Sequence, residues 1–206
     1  QKEETCILID IGTNGEIVLG NRDFLVACAA SAGPAFEGSG VTSGMRASSG
    51  AIQTVSINKN DFSVKYSTIQ DKLPRGICGS GYIDLLSEML TSGIIDKSGK
   101  IKATGKRIRS SDNGGEFVVC FKEEIRAQAD IVINEADIEN LKRSKGAIYS
   151  ACAILVKHLA LEFSAISKIF VAGGFGTYLD IEKAISIGLL PDLERSKFIF
   201  IGNSSL

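Results

Sequence analysis

The chain has 206 residues, enough for one substantial hydrophobic core or two small lobes that share one. With 44% hydrophobic and 23% charged residues and a net charge of −1, it has the make-up of an ordinary globular domain, and nothing in that balance suggests a nucleic-acid or acidic-membrane partner. No apolar run approaches the roughly 18–20 residues of a membrane helix, and no signal peptide is visible.

The chain begins at Gln1 without a methionine and stops at Leu206 just after a strand-like run, so the expectation is one lobe cut from a longer protein. Its five cysteines, Cys6, Cys28, Cys78, Cys120 and Cys152, are scattered and form no C-x-x-C pair. Neither a zinc site nor an iron–sulfur cluster is therefore locally encoded. All but Cys78 sit in apolar segments, where a thiol acts as a small hydrophobe. Reduced thiols of this kind fit a cytoplasmic protein.

Three strand-like runs open the sequence, at 6–11, 16–20 and 24–29, with Asn14-Gly15 and Gly20-Asn21 as tight-turn signals between them. A loop rich in Gly, Ala and Ser follows from Ala32 to Ala47, and then a hairpin at 51–57 and 62–69. After G-I-C-G-S-G-Y, the apolar residues Ile83, Leu86, Met89 and Leu90 recur at helical spacing, and Gly93 marks a stop. The stretch from Asp96 to Gly115 is polar and basic and reads as a surface excursion.

Strands at 116–121 and 131–133 precede the longest helix, for which Asn134 is the N-cap and Asp137 a weakened capping-box partner. One apolar stripe runs along that helix from Ile138 to Phe163. A strand at 169–172, a helix at 181–188 and a strand at 198–201 close the chain. The order is β-β-β, an insertion, then α-β-α-β. That is the pattern of an α/β ribonuclease-H-like lobe, a mixed sheet with helices packed on it and a hairpin insertion.

Three elements could carry chemistry. Asp10 stands on an alternating strand where Ile7, Ile9 and Ile11 face one side and Leu8, Asp10 and Gly12 the other. A carboxylate there is costly unless hydrogen-bonded, solvated or metal-paired. The following Gly12, Thr13, Asn14 and Gly15 form a bend that could hold phosphate oxygens while Asp10 orients a hydrated magnesium ion. Equally, Asn14-Gly15 is a hairpin turn and Asp10 its hydrogen-bonding anchor.

The second element is F-V-A-G-G-F-G, in which Gly173, Gly174 and Gly176 end a strand where a nucleotide could approach the backbone, or simply supply unusual dihedrals. The third is Gly79-Ser80-Gly81 at a helix start, which is either an anion site or an N-cap by Ser80. No Walker A loop or dinucleotide fingerprint is present. The single histidine, His158, excludes a two-histidine metal site, and Glu37 and Arg46 read as salt-bridge and surface residues.

Taken together, L-I-D-I-G-T-N-G-E-I-V-L-G-N, A-G-P-A-F-E-G, G-M-R-A, G-I-C-G-S-G-Y-I-D-L-L, V-A-G-G-F-G and I-G-N-S-S-L resemble the C-terminal ATPase region of the reductive activators of corrinoid proteins. The resemblance runs from about Thr5 to Leu206. It implies the fold of the acetate and sugar kinase, heat-shock chaperone and actin superfamily. It also implies ATP-driven return of an inactive cobalt(II) corrinoid protein to cobalt(I).

In that family a ferredoxin-like two-iron domain upstream passes the electron from a donor, a middle domain supplies the first ATPase lobe, and homodimers are typical. Mapped by motif, Asp10 to Glu16 would be the second phosphate loop of an ATP or ADP site, with Asp10 orienting magnesium or its water and Gly12, Thr13, Asn14 and Gly15 at the phosphates. Gly173, Gly174 and Gly176 would lie at the adenosine, and Gly79, Ser80 and Gly81 would line the same site.

This chain carries neither cluster cysteines nor a first phosphate loop. The expectation is thus one lobe of a two-lobe site, without redox activity of its own. A related branch with extra four-iron clusters near its C-terminus also fits. Two other readings remain: a small-molecule kinase lobe of the same superfamily, and a non-enzymatic dimerisation or docking module.

Overall fold

The computed structural model describes residues 4–173 and 179–202. In chain order the elements are β1 (Cys6–Ile11), β2 (Gly15–Gly20), β3 (Leu25–Ala30), β4 (Ala51–Ile57), β5 (Val64–Thr68), β6 (Gly76–Ile77) and α1 (Gly79–Thr91). They continue with β7 (Ile108–Ser111), β8 (Gly114–Cys120), α2 (Lys122–Ile125), β9 (Ile131–Asn134), α3 (Glu135–His158), β10 (Lys168–Gly173), α4 (Ile181–Ser186) and β11 (Phe198–Gly202). Two compact units result, one from Gln1–Pro34 with Arg143–Leu206 and the other from Ala35–Lys142.

The first unit is built on a five-stranded sheet in the order β11-β10-β1-β2-β3. β1 runs parallel to β10 and antiparallel to β2, and β10 runs parallel to β11. Strict alternation in β1 buries Ile7, Ile9 and Ile11 to 1% exposure or less, while Leu8 and Asp10 on the opposite face are half-buried. Ile17 and Leu19 of β2 are likewise fully buried. Within this unit α3 buries Ile148 and Cys152, and its Ser144 hydroxyl donates to the Ala32 carbonyl at 2.6 Å just beyond β3.

The second unit holds two three-stranded sheets, β5-β4-β6 and β7-β8-β9. β6 pairs with β4 only at Ala51 and Ile52, which leaves the later amides of β4 without a strand partner on that side. Helix α1 supplies acceptors instead. Asp84 and Glu88, one helical turn apart and so on one face, accept from Val55 N–H at 3.0 Å and Ile57 N–H at 2.9 Å. This explains two acids on a helix whose other inward residues are Tyr82, Ile83, Leu85, Leu86 and Met89.

The start of α3 carries a reciprocal capping box. Asn134 N–H donates to Asp137 Oδ2 at 3.2 Å, and Asp137 N–H donates to Asn134 Oδ1 at 2.9 Å. Asp137 Oδ1 also accepts from Thr42 N–H at 2.8 Å and from the Thr42 hydroxyl at 3.1 Å. One buried carboxylate therefore ties the helix start to the Gly-rich loop, a link that spacing alone does not reveal.

Several boundaries differ from the sequence expectation, each for a local reason. Helix α1 starts at Gly79 rather than Tyr82, with Cys78 as its N-cap and no side-chain cap from Ser80. A Cβ on Gly81 would run into the Ile52 carbonyl oxygen, so glycine lets the first turn press against β4. The 96–115 stretch is not a plain excursion. It folds back through an Ile95–Ile101 bridge and contains β7, paired with β8 across Asp112-Asn113.

The apolar stripe of α3 outlasts the helix, which ends at His158. Ala160 turns left-handed at φ 53°, and Leu161 N–H reaches back to Val156 O at 3.0 Å, a helix stop made without glycine. Smaller shifts affect β2, β3, β5, β8, β9, β10, β11 and α4, which ends at Ser186. Among the described residues no helix is long and apolar enough to cross a membrane.

Candidate functional site

β1 and β10 lie side by side and parallel, with Asp10 opposite Ala172 and Ile11 opposite Gly173. Their carboxyl ends therefore open at the same edge of the sheet, the position at which α/β sheets place ligands. The strand register brings Asp10, the bend at 12–14 and Gly173 together. Asp10 is half-buried, Thr13 and Asn14 are exposed, and Gly15 is buried.

The bend is a three-residue connection, because Ile11 pairs directly with Gly15. Gly12 N–H donates to Asn14 O at 3.1 Å, so that amide is engaged inside the bend, and the Thr13 and Asn14 side chains are what the bend presents to solvent. Gly15 is small because α3 lies over it: a Cβ there would come within 2.9 Å of Ile148 Cγ1. Gly173 has φ 135°, a conformation that only glycine takes readily, and a Cβ there would strike the Ile11 carbonyl oxygen. Backbone demand thus accounts for Gly173 whether or not a ligand approaches it. Gly174 and Gly176 lie outside the described residues.

Gly79, Ser80 and Gly81 belong to the second unit. All three are buried, with Ser80 at 2% exposure and its hydroxyl 3.4 Å from Cys78 Sγ. Their packing is explained by the docking of α1 on β4.

The donor chemistry at the end of β1 fits a hard divalent cation. Asp10 and Glu16 are direct partners across the β1–β2 pair, and the Thr13 hydroxyl follows in the bend. These are oxygen donors of the kind that magnesium takes, and no thiolate or imidazole stands among them. The three-residue connection fixes Glu16 as the cross-strand partner of Asp10.

A cavity of about 350 Å3 elsewhere, in the second unit, is lined by Lys100, Glu135 and Glu139 among others. Its carboxylates are already paired, Glu135 with Lys100 and Glu139 with Lys142, both at 2.8 Å. It offers nothing to a nucleotide phosphate.

Four of the cysteines are made less reactive by their surroundings. Burial pushes the Cys120 thiol up to about 11 and Cys152 up to about 12, and raises Cys6 and Cys28 as well. No disulfide links any of the five.

A mixed sheet of this order, with a carboxylate and a glycine at the adjacent ends of its central parallel strands, defines a ribonuclease-H-like lobe of the ASKHA class. The family model described as the C-terminal domain of RACo, the ASKHA domain, matches residues 4–206, and the chain belongs to that family.

Among solved structures, one described as a reductive activator for corrinoid, iron–sulfur protein superposes with a TM-score of 0.95 at 53% identity, covering 98% of this chain and 33% of that one. The corrinoid activation enzyme RamQ of Eubacterium limosum is 35% identical over 97% of this chain and 35% of its own length. The [Co(II) methylated amine-specific corrinoid protein] reductase of Methanosarcina barkeri is 29% identical over 98% of this chain and 38% of its own. The chain thus spans little more than a third of the curated relatives it matches.

Proposed function

We propose that this chain is the nucleotide-binding lobe of a longer, ATP-dependent reductive activator that returns an inactive cobalt(II) corrinoid protein to cobalt(I). The observation that carries the reading is the half-buried Asp10 carboxylate at the carboxyl end of β1, beside Gly173, in a lobe matched along its whole length to that family. Magnesium, when bound with ATP or ADP, would supply charge neutralisation at the phosphates. Asp10 would hold and orient a water of that ion, the Thr13 and Asn14 side chains would donate to phosphate oxygens, and Gly173 with Gly174 and Gly176 would admit the nucleoside. Gly79, Ser80 and Gly81 are left out of the contact set because they are buried.

ATP here passes no phosphate to an acceptor. Its contacts differ between nucleotide states, and that difference biases the conformation in which the activator and its corrinoid partner exchange an electron. The full protein would act as a homodimer and take the electron from its donor through an upstream iron–sulfur domain.

The test uses the full-length protein that carries this lobe. Cobalt(II) reduction of its corrinoid partner is followed by absorbance with and without ATP. The expected result is ATP-dependent reduction in wild type and loss of the ATP dependence in Asp10→Ala, with the circular dichroism unchanged. Undiminished ATP-driven reduction in Asp10→Ala would refute the reading, and a phosphorylated small-molecule product would point to a kinase.

A further inference from the structure

We propose that Cys28 and Cys152 form a redox-sensitive dithiol, which a low-molecular-weight disulfide oxidises to a bond fastening helix α3 to the edge strand β3.

Successive turns of α3 bring the two thiols together. The Ser144 hydroxyl donates to the Ala32 carbonyl at 2.6 Å, just beyond β3. One turn on, Ile148 covers Gly15, the cross-strand partner of Ala30: a Cβ on Gly15 would lie 2.9 Å from Ile148 Cγ1 and 3.5 Å from Ala30 Cβ. One turn further, Cys152 is fully buried on the same side of the helix. A helical turn advances about 5.4 Å and two strand residues about 6.8 Å. The helix therefore runs antiparallel to β3, with Ser144, Ile148 and Cys152 over Ala32, Ala30 and Cys28. Cys28 pairs with the fully buried Ile17, so it shares the face that α3 covers. Consistently, burial and then the neighbouring Cys28 raise the Cys152 thiol.

Gly15 and Ala30 keep the layer between helix and strand thin, as a disulfide needs, since its Cα atoms stand only about 4.4–6.8 Å apart. The other thiols are placed elsewhere. Cys6 lies on the opposite face of the sheet, with Leu8 and Asp10, whereas Cys78 precedes α1 and Cys120 ends β8 in the second unit. Cys28, on the edge strand, is half-buried and is the thiol an oxidant reaches; Cys152 is buried behind it.

With oxidised glutathione, the Cys28 thiolate attacks one glutathione sulfur and the other glutathione leaves as a thiolate. The Cys152 thiolate then attacks the Cys28 sulfur of this mixed disulfide and expels the second glutathione thiolate. The protons lost by the two cysteines pass to the two leaving thiolates. Two protein thiols are thereby oxidised and one glutathione disulfide is reduced. Because burial disfavours both thiolates, the exchange takes minutes to hours.

The folded 206-residue chain is incubated with oxidised glutathione, its free thiols are blocked, and its peptides are mapped by mass, for wild type, Cys28→Ala and Cys152→Ala. Wild type should yield a peptide pair joined through Cys28 and Cys152. Cys152→Ala should stop at the mixed disulfide on Cys28, and Cys28→Ala should leave Cys152 a free thiol. The joined protein should unfold at a higher urea midpoint than after reduction by dithiothreitol, since the bond restricts the unfolded chain. Its amides at 25–30 and 148–155 should exchange more slowly.

A wild-type protein that stops at the mixed disulfide overturns the proposal. So does a Cys28–Cys152 bond that forms only in urea, or one that leaves both the midpoint and the exchange unchanged. The wild-type measurements decide the matter even where Cys152→Ala fails to fold.

Discussion

Replacing Asp84 by alanine tests whether α1 really takes the place of a strand. Asp84 is 3% exposed and Val55 2%, so the bond between them forms away from water. A buried donor left alone costs about 1–3 kcal/mol, and because both groups lie away from water the expected destabilisation is at the upper end, about 3 kcal/mol. For a chain of this size that lowers the melting temperature by roughly 6–12 °C.

Glu88 makes the equivalent bond to Ile57 from a half-buried position, so Glu88→Ala should lose only about 1 kcal/mol. Urea unfolding followed by circular dichroism gives the energies, and amide hydrogen exchange gives the location. Val55 N–H should lose protection in Asp84→Ala and keep most of it in Asp84→Asn, which retains an acceptor oxygen. A loss below about 0.5 kcal/mol, within the range of an ordinary surface substitution, would refute the reasoning. So would unchanged exchange at Val55.

Other substitutions probe the backbone and the charges. Gly173→Ala combines a forbidden φ with a collision at the Ile11 carbonyl and should destabilise by at least about 2 kcal/mol in urea. Ala160→Gly should act in the opposite sense, because a left-handed alanine costs about 1–2 kcal/mol; with the entropy glycine adds to the unfolded chain, a net gain of about 0.5 kcal/mol is expected.

The pH dependence follows from the depressed carboxylates, Asp61, Asp96, Asp130 and Glu135 in the second unit and Glu182 in the first. The Ser98 hydroxyl, ahead of the Lys100 amide, lowers Asp96 to about 2; the Lys122 amide and then Arg109 lower Asp130; Lys100 and then the Ile101 amide lower Glu135. A folded value below the unfolded one gives stability that is present above the unfolded range of about 4 and lost as pH falls through the folded values. Thermal melts should therefore be flat from pH 7 to 5 and decline towards pH 2, and Asp130→Asn should flatten part of that decline.

Much of the first unit was legible because its signals are local. Alternation of Ile7, Ile9 and Ile11 sets β1, the polar bend at 12–14 sets its partner, one residue earlier than an Asn14-Gly15 turn would place it, and the hydrophobic runs at 169 and 198 set the parallel strands. Asp10 was conspicuous as a carboxylate in an apolar strand.

What escaped was decided by contacts distant in sequence. β7 hides in a polar segment because both Arg109 and the serines beside it face solvent or ion pairs, with Arg109 bound to Glu116 and Asp130 at 2.7 Å each. Its turn, Asp112-Asn113, was the overlooked signal. The early start of α1 depends on the Ile52 carbonyl pressing on Gly81, and the end of α3 on a left-handed alanine that no turn propensity announces. At the site, Gly79–Gly81 stayed ambiguous in sequence because a glycine for close packing and a glycine for close ligand approach have the same signature.

The most direct test of the nucleotide-lobe assignment is an amide shift map of this chain titrated with Mg-ADP to millimolar concentration. Shifts concentrated at Ile11–Gly15 and Ala172–Gly173, and lost in Asp10→Ala, are the result expected. Saturating Mg-ADP that leaves those amides unmoved, or moves them equally in Asp10→Ala, would contradict it.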